Sequence, residues 1–238
     1  MSRIFLVGSG PSLRQTPVDA LKGEDVMVMN KANRIWKELG FTLKPRYYLK
    51  IDYNSYDHLS WMEEIEWARQ NCGHMFLWEQ FKTGWPKGHS NYEHMPSGVG
   101  ELDNVTWLKK CRHTPYQWNN WKAATSWHLP DLCTAFGGMS TMIQIAAMRY
   151  DEIYLLGCDL GYTPDRKKNH AIADYTIDES NKVAMDNGNM TALHNMAKRC
   201  CPVPIYNATI GGQLEVYERV KFESLFEDEN ERRETTPQ

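Results

Sequence analysis

The sequence is poor in the patterns that most often declare a function. Its six cysteines, at positions 72, 111, 133, 158, 200 and 201, fall in no Cys-x-x-Cys or Cys/His ligand spacing. A structural zinc site is therefore not expected. No apolar run approaches the length of a membrane span. Charge of one sign is scarce too: the net charge is −3, and the one charged block is the acidic tail from Glu227. That argues against a basic stripe for nucleic acid. The first residues are charged and then at once strand-like, without a signal-peptide pattern. The expected compartment is a reducing cytoplasm with free thiols.

Catalytic signatures are missing as well. There is no nucleophile elbow and no Ser-His-Asp order. No Gly-Lys-Ser/Thr follows the first glycine turn, which argues against a P-loop kinase. The third glycine of a dinucleotide fingerprint is also missing, because Pro11-Ser12-Leu13 follows Gly10. No Asp-x-Asp occurs in the chain. The metal-held nucleotide diphosphate that such a pair commonly serves is thus not expected, and no metal ligands or cofactor are assigned.

What is present is a repeated strand-turn-helix pattern. Arg3-Ile4-Phe5-Leu6-Val7 reads as a buried strand entering Gly8-Ser9-Gly10 and then Pro11-Ser12 at the start of a helix or turn. Glycines there permit φ > 0 and close approach of a ligand, and helix N–H groups suit a phosphate. Residues 25–30 and 47–52 are further strands, finishing on Asn30 and Asp52; a fourth follows at 74–78. Helical patterns cover 31–39, 56–70 and 190–199. Gly137-Gly138 opens another helix through about Arg149, and 153–157 is a strand ending in Cys158-Asp159. A last strand covers 204–207. This alternation predicts an α/β fold: an open, mainly parallel Rossmann-like sheet with helices on both faces. Ligands in such sheets sit beyond the carboxyl ends of the strands. Gly8, Ser9, Gly10, Asn30, Asp52, Gly137, Gly138 and Asp159 would then share one edge.

The expected organisation is one nucleotide-binding catalytic domain over 1–226, followed by a charged, fraying tail. Within it, 79–132 reads as an irregular insertion rich in tryptophan, including Trp85, Trp107, Trp118, Trp121 and Trp127. Residues 160–190 are polar and read as a lid. His170, in that lid beside Asn169, is the candidate general base, since imidazole titrates near neutrality. His194 is the alternative base, although its mid-helix place suggests packing.

Gly8-Ser9-Gly10-Pro11-Ser12-Leu13, Asn30, Gly137-Gly138 and the run from Tyr150 to Asp159 resemble the bacterial lipooligosaccharide sialyltransferases. They also resemble a wider group related to archaeal hydroxymethylpterin diphosphokinase and motility accessory factors. The resemblance implies that Gly8, Ser9, Gly10 and Asn30 contact the CMP part of a CMP-sugar. It implies that Tyr162 and Tyr175 stabilise the departing phosphate and that His170 acts as base. Two positions depart from the family: Asp52 stands where it has a second asparagine, and Phe136-Gly137-Gly138 replaces its Thr-Ser-Gly. The reading is a metal-independent glycosyltransferase with a nucleotide-sugar as co-substrate and a glycan or other hydroxyl acceptor. The alternatives are an ATP-dependent diphosphokinase acting on a small alcohol and a non-catalytic nucleotide-binding protein. A nucleic-acid acceptor, met by base stacking on the tryptophans, is disfavoured by the acidic net charge. An oligomer is open on this reading.

Overall fold

A computed structural model of the protein describes residues 1–51, 58–85, 87–88, 98–108, 138–165, 168–175 and 187–226. The strands are β1 (Arg3–Val7), β2 (Asp25–Met29), β3 (Tyr47–Lys50), β4 (His74–Trp78), β5 (Val105–Leu108), β6 (Glu152–Leu156), β7 (Ile205–Asn207) and β8 (Glu218–Arg219). The α-helices are α1 (Ala32–Leu39), α2 (His58–Asn71), α3 (Gln80–Thr83), α4 (Gly138–Ala147) and α5 (Asn187–Cys200). The strands form one sheet in the order β5-β4-β3-β2-β1-β6-β7-β8. Every neighbouring pair is parallel.

The central strands are buried on both sides because their interior positions are almost all apolar. Side chains alternate between faces with period two. Phe5, Val7, Val26, Val28 and Tyr48 pack with Ile35 and Trp36 of α1 and with Trp61, Ile65 and Ala68 of α2. Ile4, Leu6, Met27, Tyr47 and Leu49 pack on the other face with Met142, Ile143 and Ala146 of α4 and Ala197 of α5. Each fully buried Ile, Leu or Phe stabilises the fold by roughly 1.5–3 kcal/mol. From Gly138 to Ala146 every residue of α4 is buried. Its polar residues Ser140, Thr141 and Gln144 are buried with the rest, and Gln144 Nε2 donates to the Ser140 carbonyl at 3.3 Å.

From β1 the chain steps outward through β2, β3, β4 and β5, then returns to place β6 on the other side of β1. The direction of winding reverses between β1 and β6. That reversal leaves a crevice at the carboxyl ends of the two strands.

Two edge strands lie where the sequence shows no strand pattern. β5 falls inside the tryptophan-rich stretch and is buried only at Leu108, so no alternation marks it. β8 has only two residues. The rest of that stretch from residue 109, with Trp118, Trp121 and Trp127, lies outside the described residues, as does the charged tail. Where a helix or turn was expected after Gly10, the chain makes two short 3-10 helices, Pro11–Arg14 and Val18–Leu21. Among the described residues no helix is long and apolar enough to cross a membrane.

Candidate functional site

A cavity of about 230 Å³ opens at the crevice between β1 and β6. Its floor is the sheet edge: Gly8, Ser9 and Gly10 after β1, Met29 and Asn30 at the end of β2, and Gly157 to Leu160 after β6. The glycine turn and the end of β6 prolong the strand pairing. Gly8 N–H donates to the Leu156 carbonyl at 2.7 Å, and Gly10 N–H to the Gly157 carbonyl at 2.9 Å. A Cβ on Gly8 would lie 2.5 Å from the Gly157 oxygen, and one on Gly10 would strike the Asp159 carboxylate. Gly10 has φ −69°, so it is not there to reach the left-handed region. Packing of two chain segments demands both glycines. Gly157, with φ 64°, does need the left-handed region, and a Cβ on it would run into Leu13.

The start of the 3-10 helix after this turn is already occupied by an anion belonging to the protein. Asp159 accepts from the Ser12 backbone N–H at 3.0 Å and from Ser12 Oγ at 2.7 Å. Burial raises the Asp159 pKa, and these Ser12 hydrogen bonds pull it back down. Both the backbone N–H and the hydroxyl of Ser12 are thus engaged by the protein's own carboxylate. Asp159 forms part of the cavity lining, whereas Pro11 and Ser12 are not among its lining residues.

One wall is built from residues 169–175. His170 Nδ1 lies 3.1 Å from Ser9 Oγ, and Ala171 N–H donates to the Ser9 carbonyl at 2.7 Å. The His170 ring stacks on Tyr175 with centroids 3.9 Å apart and planes 19° apart. Lys31, buried beside α1, donates from Nζ to the Tyr175 carbonyl at 2.8 Å. Burial, and secondarily the Lys31 charge, lower the His170 pKa to about 4. The imidazole is therefore neutral at pH 7. Tyr162 lies across from it, ring centroids 6.5 Å apart, with burial pushing its hydroxyl up to about 12. Burial also raises Tyr175, against hydrogen bonds from Ser9 and Asn30 that lower it. Both phenols stay protonated and can donate.

The opposite wall comes from α4 and α5: Gly138, Met139, Met190 and His194. Gly138 must be small because a Cβ would meet Met29 Sδ. Asn30 sits between the walls with φ 50°, a conformation that Asn tolerates better than most residues. Its backbone oxygen accepts from Tyr48 Oη at 2.9 Å, while its Oδ1 is buried without a hydrogen-bond partner among the described residues. A buried acceptor of this kind costs about 1–3 kcal/mol when unmet, so it suits a donor group on a ligand.

The structure thus brings Gly8, Ser9, Gly10, Asn30, Gly138, Asp159, Tyr162, His170 and Tyr175 around one cavity. Asp52 and Gly137 lie outside the described residues. Sequence reasoning missed Lys31 and the methionines of the second wall. Lys31 directly follows the strand-end Asn30, and that position was the available signal. Among the described residues no group of three His, Cys, Asp or Glu side chains is placed to hold a metal ion.

No family model matches the sequence, and no curated protein matches it either. Solved structures do share the fold. The Maf glycosyltransferase of Magnetospirillum magneticum AMB-1 superposes over 94% of this chain with a TM-score of 0.55 at 14% identity. The chain spans only 34% of that protein's length. The sialyltransferase CstII of Campylobacter jejuni, solved with cytidine-5'-monophosphate, superposes over 92% of this chain and 85% of its own. Its TM-score is 0.52 at 13% identity. An asparagine-to-alanine variant of sialyltransferase CST-II in complex with CMP gives a TM-score of 0.54 at 14% identity, covering 92% of this chain and 86% of that one. The open, parallel α/β architecture is therefore that of these bacterial transferases.

Proposed function

We propose that the chain is a glycosyltransferase that moves a sugar from a CMP-sugar type of donor to an acceptor hydroxyl. The observation that carries this reading is the pairing of the glycine turn with His170. Ser9 of the turn holds the imidazole at 3.1 Å, in a cavity at the sheet's switch point. Shared fold with CMP-bound sialyltransferases supports the donor class by analogy.

With Nδ1 protonated and donating to Ser9 Oγ, Nε2 of His170 is the free acceptor. It takes the proton of the acceptor hydroxyl as that oxygen bonds to the sugar's anomeric carbon. The bond from that carbon to the donor phosphate breaks, and the phosphate keeps its electron pair. Tyr162 and Tyr175 donate to the leaving phosphate as charge builds on it. A pKa near 4 makes His170 a weak base in the empty site. The negative charge of a bound donor raises it toward the working range. Gly138, the first residue of α4, lines the cavity without a side chain and presents its backbone to the ribose of the donor. The described residues of the polar segment after β6, with Tyr162, Asn169, His170 and Tyr175 in the cavity lining, shield the donor from water that would otherwise hydrolyse it. The groups that donate to the phosphate are neutral, so the reaction runs without a metal, and the acceptor is a glycan or a similar hydroxyl compound.

The test is a thermal-shift and turnover panel of CMP, UDP, GDP and ADP with their sugar conjugates, with and without EDTA, and of ATP with Mg²⁺. A ligand of the folded state raises the melting temperature. Stabilisation by CMP and transfer from a CMP-sugar in EDTA are expected. Stabilisation by ATP with Mg²⁺ alone overturns the reading in favour of diphosphate transfer.

A further inference from the structure

His194 is a buried histidine that the chemistry above does not use. It lies on α5, lines the wall opposite His170, and is only 7% exposed. Its Nδ1 is 3.0 Å from Tyr217 Oη. The same hydroxyl donates to the His194 backbone carbonyl at 3.2 Å. A phenol has one proton, so with that proton on the carbonyl, Nδ1 must carry the hydrogen of this pair. In that arrangement Nε2 is the lone-pair acceptor of the ring. Tyr217 is itself buried and held protonated. Burial keeps the imidazole neutral, with its pKa lowered to about 4.

A neutral acceptor does not serve a phosphate. Its neighbours in this wall, Met139 and Met190, are apolar, and flexible thioethers pack well against a flat aromatic ring. The two walls therefore differ in kind. The polar wall of His170 and Tyr175 suits the reacting phosphate and sugar, whereas the methionine wall suits a nucleobase.

We infer that His194 reads the base of the nucleotide, accepting from the exocyclic amine of cytosine and so selecting it over uracil. This rests on the nucleotide-donor reading given above. Uracil carries a carbonyl where cytosine carries the amine. Its oxygen would face the Nε2 lone pair with no hydrogen between them.

The test is the affinity of CMP against UMP, measured by calorimetry on the whole chain and its variants. The wild type is expected to favour CMP by about tenfold, as one buried hydrogen bond left unmet implies. His194→Leu brings the two affinities within about threefold, and His194→Gln, whose amide oxygen can accept, restores part of the preference. Tyr217→Phe frees the tautomer and weakens the preference while leaving the imidazole in place. Equal binding of CMP and UMP by the wild type, or an unchanged ratio in His194→Leu, overturns this inference alone. Failure of the wild type to bind either nucleotide overturns the donor reading together with it.

Discussion

Ser9 and His170 are 161 residues apart in sequence, yet Ser9 Oγ lies 3.1 Å from His170 Nδ1. The backbone adds a second tie, Ala171 N–H to the Ser9 carbonyl. The turn after the first strand and the segment after the sixth are thus one unit. Ser9→Ala removes the side-chain tie and keeps the backbone one. Turnover should fall at least tenfold, because the imidazole loses both its orientation and its fixed tautomer. Stability should change by only about 1 kcal/mol. Parallel measurement of kcat and the urea midpoint checks the split; a large loss of stability with unchanged kcat counts against it.

Gly8 and Gly10 are packing residues first. Gly10→Ala sets a methyl group against the Asp159 carboxylate, and Gly8→Ala sets one against the Gly157 carbonyl. Each should cost roughly 1–3 kcal/mol by overpacking. The cost is expected without any ligand present. A denaturant midpoint that moves only in the presence of nucleotide would show instead that these glycines serve the ligand.

Lys50, at the end of β3, forms an ion pair with Glu64 of α2, and both are almost fully buried. Tyr48 Oη also approaches Glu64, at 3.5 Å. Lys50→Met alone strips the carboxylate of its ammonium partner and should cost about 3–5 kcal/mol. Lys50→Met combined with Glu64→Leu should recover much of that loss. Urea unfolding of both single variants and the double variant decides it: a double-variant loss equal to the sum of the two single losses means that the pair is not coupled.

Acid should destabilise the protein through two histidines. His170 and His194 ordinarily titrate near 6.5 and are held at about 4 in the fold. Between those values the unfolded chain binds more protons than the folded one, so stability falls as pH drops from about 6.5 to about 4. Below that window no further loss comes from these two groups. Each kcal/mol lost lowers the melting temperature by roughly 2–4 °C. Melts at pH 7.5, 5.5 and 4.5 should show this fall. His194→Gln should flatten part of it, and an unchanged slope in that variant removes His194 as a cause.

Much of the architecture is written locally. The largely apolar runs at 3–7, 25–29, 47–51, 74–78 and 153–156 become parallel strands because a strand buried on both faces is hydrophobic at nearly all of its interior positions. The alternation of these runs with helical segments places their carboxyl ends on one edge, so Gly8-Ser9-Gly10, Asn30 and Asp159 could be grouped in advance. β5 and β8 escaped because short, half-exposed edge strands leave no periodic mark.

The sequence by itself therefore determined the sheet, its polarity and the edge on which a site would form. Only the tertiary structure decided what each residue does there. It added to Gly10, which lines the cavity, a packing requirement against Asp159, and it placed Asp159 on Ser12. It also set Lys31 behind Tyr175 and His194 against Tyr217. The reason is physical: strand formation depends on neighbours in the chain. Close approach, tautomer and titration depend on groups brought together from distant positions, and no local pattern records those meetings.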